Sequence, residues 1–399
     1  MTIRLPLAST LSFTALALIL PITGAQAFEL EQFGTRLKAL SAEQGTILEW
    51  SDLTGDESEV VAKGVRGTVP GATQPVQLGD VTFSDISEES DHYLVGSIAL
   101  SDYSVMQEGA TVTAKGIEVK GAQLPFDAAA AAGMTPYENA KADSATVELG
   151  GKRVLTIEDL SSSATETTAG SGAYDITIAA NRFSSDLFEL ATPDVKPTLS
   201  DLGYETVTGK IQMEASWNTK DGKLLIKKND FIVDDAGTLS VTFDLGGYTP
   251  ALIKTMRETT EKMAAAPEAD QSAQGMAMLG LMQQVIFNQA TIRFEDDSLT
   301  EKVIGAIAKK QNTTPEALVN QAKAIVPFGL AQLNMPEFAQ SVTAAVNSFL
   351  DDPKSLQITA KPAQPLPFAQ LAATGMMARG PDAPKAIINQ LGVSVTAND

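Results

Sequence analysis

Residues Val207 to Trp217 read VTGKIQMEASW, and residues Leu239 to Leu245 read LSVTFDL. In the first stretch Val207, Gly209, Ile211, Met213, Ala215 and Trp217 alternate with Thr208, Lys210, Gln212, Glu214 and Ser216; in the second, Leu239, Val241, Phe243 and Leu245 alternate with Ser240, Thr242 and Asp244. Successive side chains of a strand point to opposite faces, so this period of two describes strands with one apolar and one polar face. Burial on one side only is characteristic of antiparallel sheets. Lys220-Asp221-Gly222-Lys223 and Asp234-Asp235-Ala236-Gly237 are turn signals on either side of a partner strand, Leu224 to Val233. Together these segments predict a three-stranded meander.

Upstream, a short helical lead from Glu29 to Ala42 precedes further strand signals. Thr46 to Trp50, Glu59 to Val65, Tyr93 to Leu100, Ala110 to Leu124, Ala145 to Leu149 and Val154 to Leu160 are rich in Val, Ile and Thr and bounded by Gly, Asp, Ser or Pro. Ser161 to Gly172 is poor in apolar residues and reads as a mobile loop. Downstream of Gly246-Gly247 the composition turns to Ala, Met, Gln and Glu. Leu252, Ile253, Met256 and Met263 share one helical face, as do Met278, Leu281, Met282 and Val285 beyond the break at Pro267. Asn288 to Glu295 returns to alternation. Ser298-Leu299-Thr300-Glu301 has the form of a capping box opening a helix whose buried face would carry Leu299, Val303, Ile304 and Ile307. Thr314-Pro315 opens another helix, and Pro336 to Leu350 forms a third. Leu356, Ile358 and Ala360 then read as a strand.

A one-faced sheet from about Thr46 to Leu245 needs cover, and so do the apolar faces of the helices after Thr249. The expected fold is therefore α+β: a large antiparallel, curved β-sheet with the helices of the C-terminal half packed on one face. The expected division is a signal peptide over residues 1–27, a sheet region over 28–245, and a helical region with returning strands over 246–399, the last two forming one structural unit.

The first residues carry a positive Arg4, an apolar stretch from Leu11 to Leu20, and Ala25-Gln26-Ala27, the three parts of a cleavable export signal. Ser9, Thr10, Ser12, Thr14 and Pro21 interrupt the uniform apolar run that a membrane anchor requires. Removing the first 27 of 399 residues leaves 372, without a later spanning segment, and the expected location is the periplasm or beyond. There is no cysteine, which excludes disulfides, thiolate metal sites and a cysteine nucleophile. The formal charge of −20 over the full chain opposes nucleic acid as a partner.

His92 is the single histidine, and it lies in the polar run Glu88-Glu89-Ser90-Asp91-His92. No GxSxG elbow, Walker loop or dinucleotide fingerprint accompanies it, and zinc sites built on two or three histidines are excluded. Asp85, Glu88, Glu89 and Asp91 lack the spacing of a calcium loop. Trp50 and Trp217 fall inside predicted strands, which favours core positions over sugar stacking. No catalytic residue, metal ligand or cofactor is assigned. The methionines are the remaining candidates: Met256, Met263, Met278 and Met282, with Met276 beside them, offer flexible side chains suited to an adaptable apolar groove or to an ordinary core.

Asp235-Ala236-Gly237-Thr238-Leu239-Ser240-Val241, Ile292-Arg293-Phe294-Glu295-Asp296-Asp297-Ser298-Leu299 and Asp352-Pro353-Lys354-Ser355-Leu356-Gln357-Ile358 resemble passages of uncharacterised exported proteins of Gram-negative bacteria. A looser similarity reaches the long-sheet envelope proteins of the AsmA and YdgA type, the first of which is associated with lipid handling between membranes. This chain is much shorter and is expected to retain no anchor. The resemblance implies a periplasmic envelope protein with a broad curved sheet and supplies no functional residue. The expected function is non-catalytic binding of a hydrophobic ligand such as lipid, or of an envelope partner. The alternatives are a protein-binding scaffold with a dry core and a carboxylate-dependent hydrolase of envelope polymers.

Overall fold

The computed structural model describes residues 28–68, 75–107, 109–128, 135–265, 271–377 and 382–399; the expected export signal over residues 1–27 lies outside them. Helix α1 (Leu30–Glu43) is followed by β1 (Ile47–Glu49), β2 (Asp52–Gly55), β3 (Glu59–Thr68), β4 (Val76–Glu88), β5 (His92–Leu100), β6 (Tyr103–Gln107), β7 (Ala110–Lys115), β8 (Glu118–Pro125), β9 (Tyr137–Leu149), β10 (Lys152–Glu166) and β11 (Ala173–Asp186). Short α2 (Leu187–Leu190) and α3 (Lys196–Leu202) lead to the meander β12 (Thr206–Asn218), β13 (Lys223–Val233) and β14 (Gly237–Gly246). Then come α4 (Pro250–Ala265), α5 (Gln271–Met282), β15 (Ile286–Asp296), α6 (Leu299–Lys310), α7 (Pro315–Ala331), α8 (Pro336–Asp351) and β16 (Ser355–Ala360). The chain ends with β17 (Leu366–Pro367), α9 (Phe368–Met377), α10 (Asp382–Leu391) and β18 (Val393–Ala397).

The 18 described strands form one antiparallel sheet, and most of the helices belong to the C-terminal half, as the α+β reading expected. The ladder runs β3–β4–β5–β8–β9 and on without interruption through β10 to β16 and β18. The predicted meander is present, and the two returning strands rejoin the sheet beside it as β15 and β16.

Three local expectations are corrected. Ser161 to Glu166 is not loop but the end of β10, where Ser163 and Thr177 hydroxyls bond across strands at 2.7 Å; the ladder needs main-chain groups, which polar residues supply equally well. The Ala110–Leu124 run is broken at Gly116, which sits at φ +63°, where a β-carbon would meet Asp143. Ser298 does not cap α6 with its side chain. Its hydroxyl bonds the Asp235 carbonyl, and Asp296 instead accepts from the Thr300 amide at 2.8 Å. Thr314 does cap α7, accepting from the Ala317 amide at 3.2 Å.

The sheet curls. Nine strand-to-strand steps of about 4.8 Å separate β3 from β14, roughly 43 Å if flat. Yet Lys254 and Arg257, in the first turns of the helix that follows β14, reach Glu43 at the end of α1, each at 2.6 Å. Since α1 feeds directly into the strands paired with β3, the two stretches of sheet must bend toward each other.

The core lies under α1. Phe33, Leu37 and Leu40 insert among Val60, Val81, Phe83, Tyr93, Val95 and Leu124, with Phe33 edge-on to Phe83 and Tyr93.

Candidate ligand-binding face

Strand register traces the face on which α1 sits. Val60 pairs with Phe83, Phe83 with Ile98, Ile98 with Val119, and Val119 with Ala140; the row continues through Ser162, Ile178 and Met213. Paired residues point to the same side, so the apolar face beneath α1 is the same face that Ile211, Met213, Ala215 and Trp217 present in the meander. It extends further by the pairings of Ile211 with Phe231, Phe231 with Leu239, Val241 with Ile292, and Ile292 with Ile358. The opposite face is polar: Ser240 bonds Asp230 at 2.7 Å, and Lys228 bonds Gln212 at 2.7 Å.

Beyond β10 the apolar face is open in part, although Phe183, Ala215, Trp217 and Ile226 on it are buried. Ile178, Phe231, Leu239, Ile292 and Ile358 are each 41–48% exposed. The openness has limits at both ends of β15. Phe294 meets Phe349 of α8 at 6.4 Å between ring centroids, and Phe287 meets Phe368 of α9 at 6.0 Å. Ile292 lies between those two aromatic contacts, so the C-terminal helices cover the edges of this face and leave its middle bare. Gly209 shapes the floor, because a β-carbon there would run into the Ile232 carbonyl and lie 2.7 Å from the Phe183 ring, which stacks on Phe231 at 4.8 Å. Only glycine admits that approach.

The methionines occupy a helical hairpin that leaves the sheet after β14 and re-enters at β15. Met256 and Met263 are half-buried on α4, Met278 and Met282 are half-buried on α5, and Met276 is exposed. The two helices pack on each other. A separate cleft of about 720 Å³ opens where α7 turns into α8, lined by Pro327, Leu330, Met335, Ala339, Thr343 and Asn347. Phe328, 77% exposed, and Ile325 stand on α7 near it.

The polar candidates take other places. His92 Nδ1 lies 2.8 Å from Asp91 on the surface, and Asp85 adopts a left-handed φ of 56° inside β4. Among the described residues no group of three His, Asp or Glu side chains is gathered for a metal. Trp217 is buried and donates to the Tyr248 carbonyl at 2.8 Å, while Trp50 lies under Lys38 at 4.3 Å. Glu118 is held below the usual carboxylate range chiefly by its bond to Lys141 at 3.1 Å.

The passages around Asp235 and Ser298 form one device. The Asp235 carbonyl accepts from Tyr204 Oη at 2.6 Å, Ser298 Oγ at 2.5 Å and Lys302 Nζ at 2.8 Å, and so clamps the β13–β14 turn to the start of α6. This clamp is structural and holds the rim of the open face.

Ile178 of the open floor lies in β11, which the sequence pattern did not mark. Phe231, Leu239, Ile292 and Ile358 had been legible only as strand positions. Their signal was the alternation itself; nothing in it distinguished covered from bare.

No curated protein matches the sequence. A family model described as "Uncharacterized protein" matches residues 230–398, a span that includes Phe231, Leu239, Ile292 and Ile358 of the open floor. The similarity to that uncharacterised family is confined to this C-terminal region.

Proposed function

We propose that this chain is an exported, non-catalytic protein of the bacterial periplasm that binds a hydrophobic ligand, a lipid chain, on the bare part of its sheet. The carrying observation is the floor of Ile178, Phe231, Leu239, Ile292 and Ile358, five large apolar side chains on one face of one sheet, each exposed by more than two fifths. A contiguous apolar surface of this kind is costly in water and marks a binding surface more often than a free one. Its setting between the edge contacts of α8 and α9 suits an extended, flexible chain, and the neighbouring methionines would adapt to such a ligand.

The test is native mass spectrometry of the protein purified from its own periplasm, with lipid analysis of what it carries. The expected result is a reproducible bound lipid that is lost in the Ile292→Asp, Ile358→Asp double variant. A clean ligand-free mass for the unaltered protein removes the proposal.

A second reading, a scaffold that binds envelope proteins, is favoured by Phe328 and Ile325 on α7 beside the α7–α8 cleft. It predicts a stoichiometric protein partner that Phe328→Ser releases, with lipid extracts empty.

A further inference from the structure

Phe33, Arg36, Leu37 and Leu40 occupy the i, i+3, i+4, i+7 positions of one face of α1, and all four are buried. Three are ordinary core residues. Arg36, 3% exposed, is not, because a guanidinium stays charged and carries five N–H donors and no acceptor.

Its described neighbours satisfy little of that demand. Nη1 donates to Tyr93 Oη at a long 3.4 Å, while the rings of Phe126 and Tyr93 lie 4.9 and 5.6 Å from Cζ. Burial raises the Tyr93 phenol above its ordinary range, so it offers a neutral oxygen and no charge. Glu29 and Glu88 act on that phenol through space, yet neither forms an ion pair with Arg36. Nε and Nη2 are buried and meet no acceptor among the described residues. These two nitrogens form the edge of the guanidinium that grips two oxygens of a carboxylate or phosphate in parallel hydrogen bonds. A buried charge with this edge unpaired is among the costliest arrangements in a protein interior.

We propose that Arg36 is an oxyanion-binding residue that takes a carboxylate or phosphate group on its Nε–Nη2 edge, with the Phe126 and Tyr93 rings holding the guanidinium. The two aromatic contacts favour arginine over lysine, since a planar cation stacks and forks where an ammonium does neither. The inference needs nothing from the open sheet face. The oxyanion has two conceivable sources, a free anion or the head of an amphiphile.

Thermal unfolding of the purified full chain separates them, with wild type, Arg36→Lys and Arg36→Met each titrated with sodium phosphate, sodium acetate and sodium dodecanoate at ionic strength fixed by chloride. The expected result is a midpoint rise of about 2 °C or more at saturation with at least one probe in the wild type. That rise should shrink in Arg36→Lys and vanish in Arg36→Met. A response to phosphate or acetate indicates a free anion; a response to dodecanoate alone indicates an amphiphile's head. No response in the wild type, or an equal response in Arg36→Met, overturns the proposal. A dodecanoate response that survives Arg36→Met belongs to the open floor instead. Where Arg36→Met does not fold, equal shifts in wild type and Arg36→Lys overturn the proposal and a smaller shift in Arg36→Lys supports it.

Discussion

Val60, Phe83, Ile98, Val119 and Ala140 stand side by side across five strands and are at most 9% exposed; Ile178, two strands further along the same row and on the same face, is 41% exposed. Strand pairing continues between them. The cover changes: α1 lies over the first group, and over the second the C-terminal helices reach only the edges. An apolar strand face is thus a capacity for burial, and whether it becomes core or binding surface depends on what the remaining chain lays over it.

The largest effect that would sharpen this contrast comes from the covered side. Phe33→Ala removes a fully buried ring from contact with Phe28, Phe83 and Tyr93 and is expected to cost about 3–5 kcal/mol in urea unfolding. A loss below about 1 kcal/mol would mean that the covered side is no better packed than the open one. At the boundary, Gly209→Val drives a side chain into the Ile232 carbonyl and the Phe183 ring and is expected to cost about 3 kcal/mol, with loss of the Phe183–Phe231 stack visible in the aromatic circular dichroism. Tyr204→Phe withdraws one of three donors from the Asp235 carbonyl, and about 1 kcal/mol is expected because Ser298 and Lys302 remain.

On the open side, Ile292→Ser should change stability by under about 1 kcal/mol in the ligand-free protein, measured by the same denaturation; a loss as large as that of Phe33→Ala would show the floor to be covered after all. The smallest effect is electrostatic. Glu118 has a folded-state pKa below its ordinary 4.5, so its contribution is present above that value and fades as the pH falls through the folded pKa. Glu118→Gln should therefore lower stability slightly at neutral pH and leave it unchanged below the folded pKa, which flattens the acid limb; the effect is small because the group is close to solvent.

Much of the fold was legible because alternation survives wherever one face is wet. The meander, β15, β16 and the helix starts at Pro315 and Pro336 follow their patterns closely. Strands β4 and β11 escaped notice for a physical reason. Gly79, Asp80 and Asp85 in β4 resemble breakers, yet Gly79 at φ +74° and Asp85 at φ +56° sit at irregularities that a long strand absorbs. Strand β11 carries Asp175, Ala179, Ala180 and Asn181, which have little strand propensity, and it is held by neighbours on both sides. Arg36 left a trace in the sequence, a charge at an apolar-face position of a helix, but a charge there also fits a helix turned slightly toward water.

The sequence alone determined that the chain builds an antiparallel sheet with one apolar face, followed by helices with apolar faces of their own, since side-chain period and strand geometry are local properties. Only the tertiary structure decided which part of that face α1 seals, which part the C-terminal helices leave bare between Phe294 and Phe287, and that Arg36 turns inward without an anionic partner among the described residues. Cover and pairing depend on the path of the chain between distant segments, and a local pattern of residues does not contain that path.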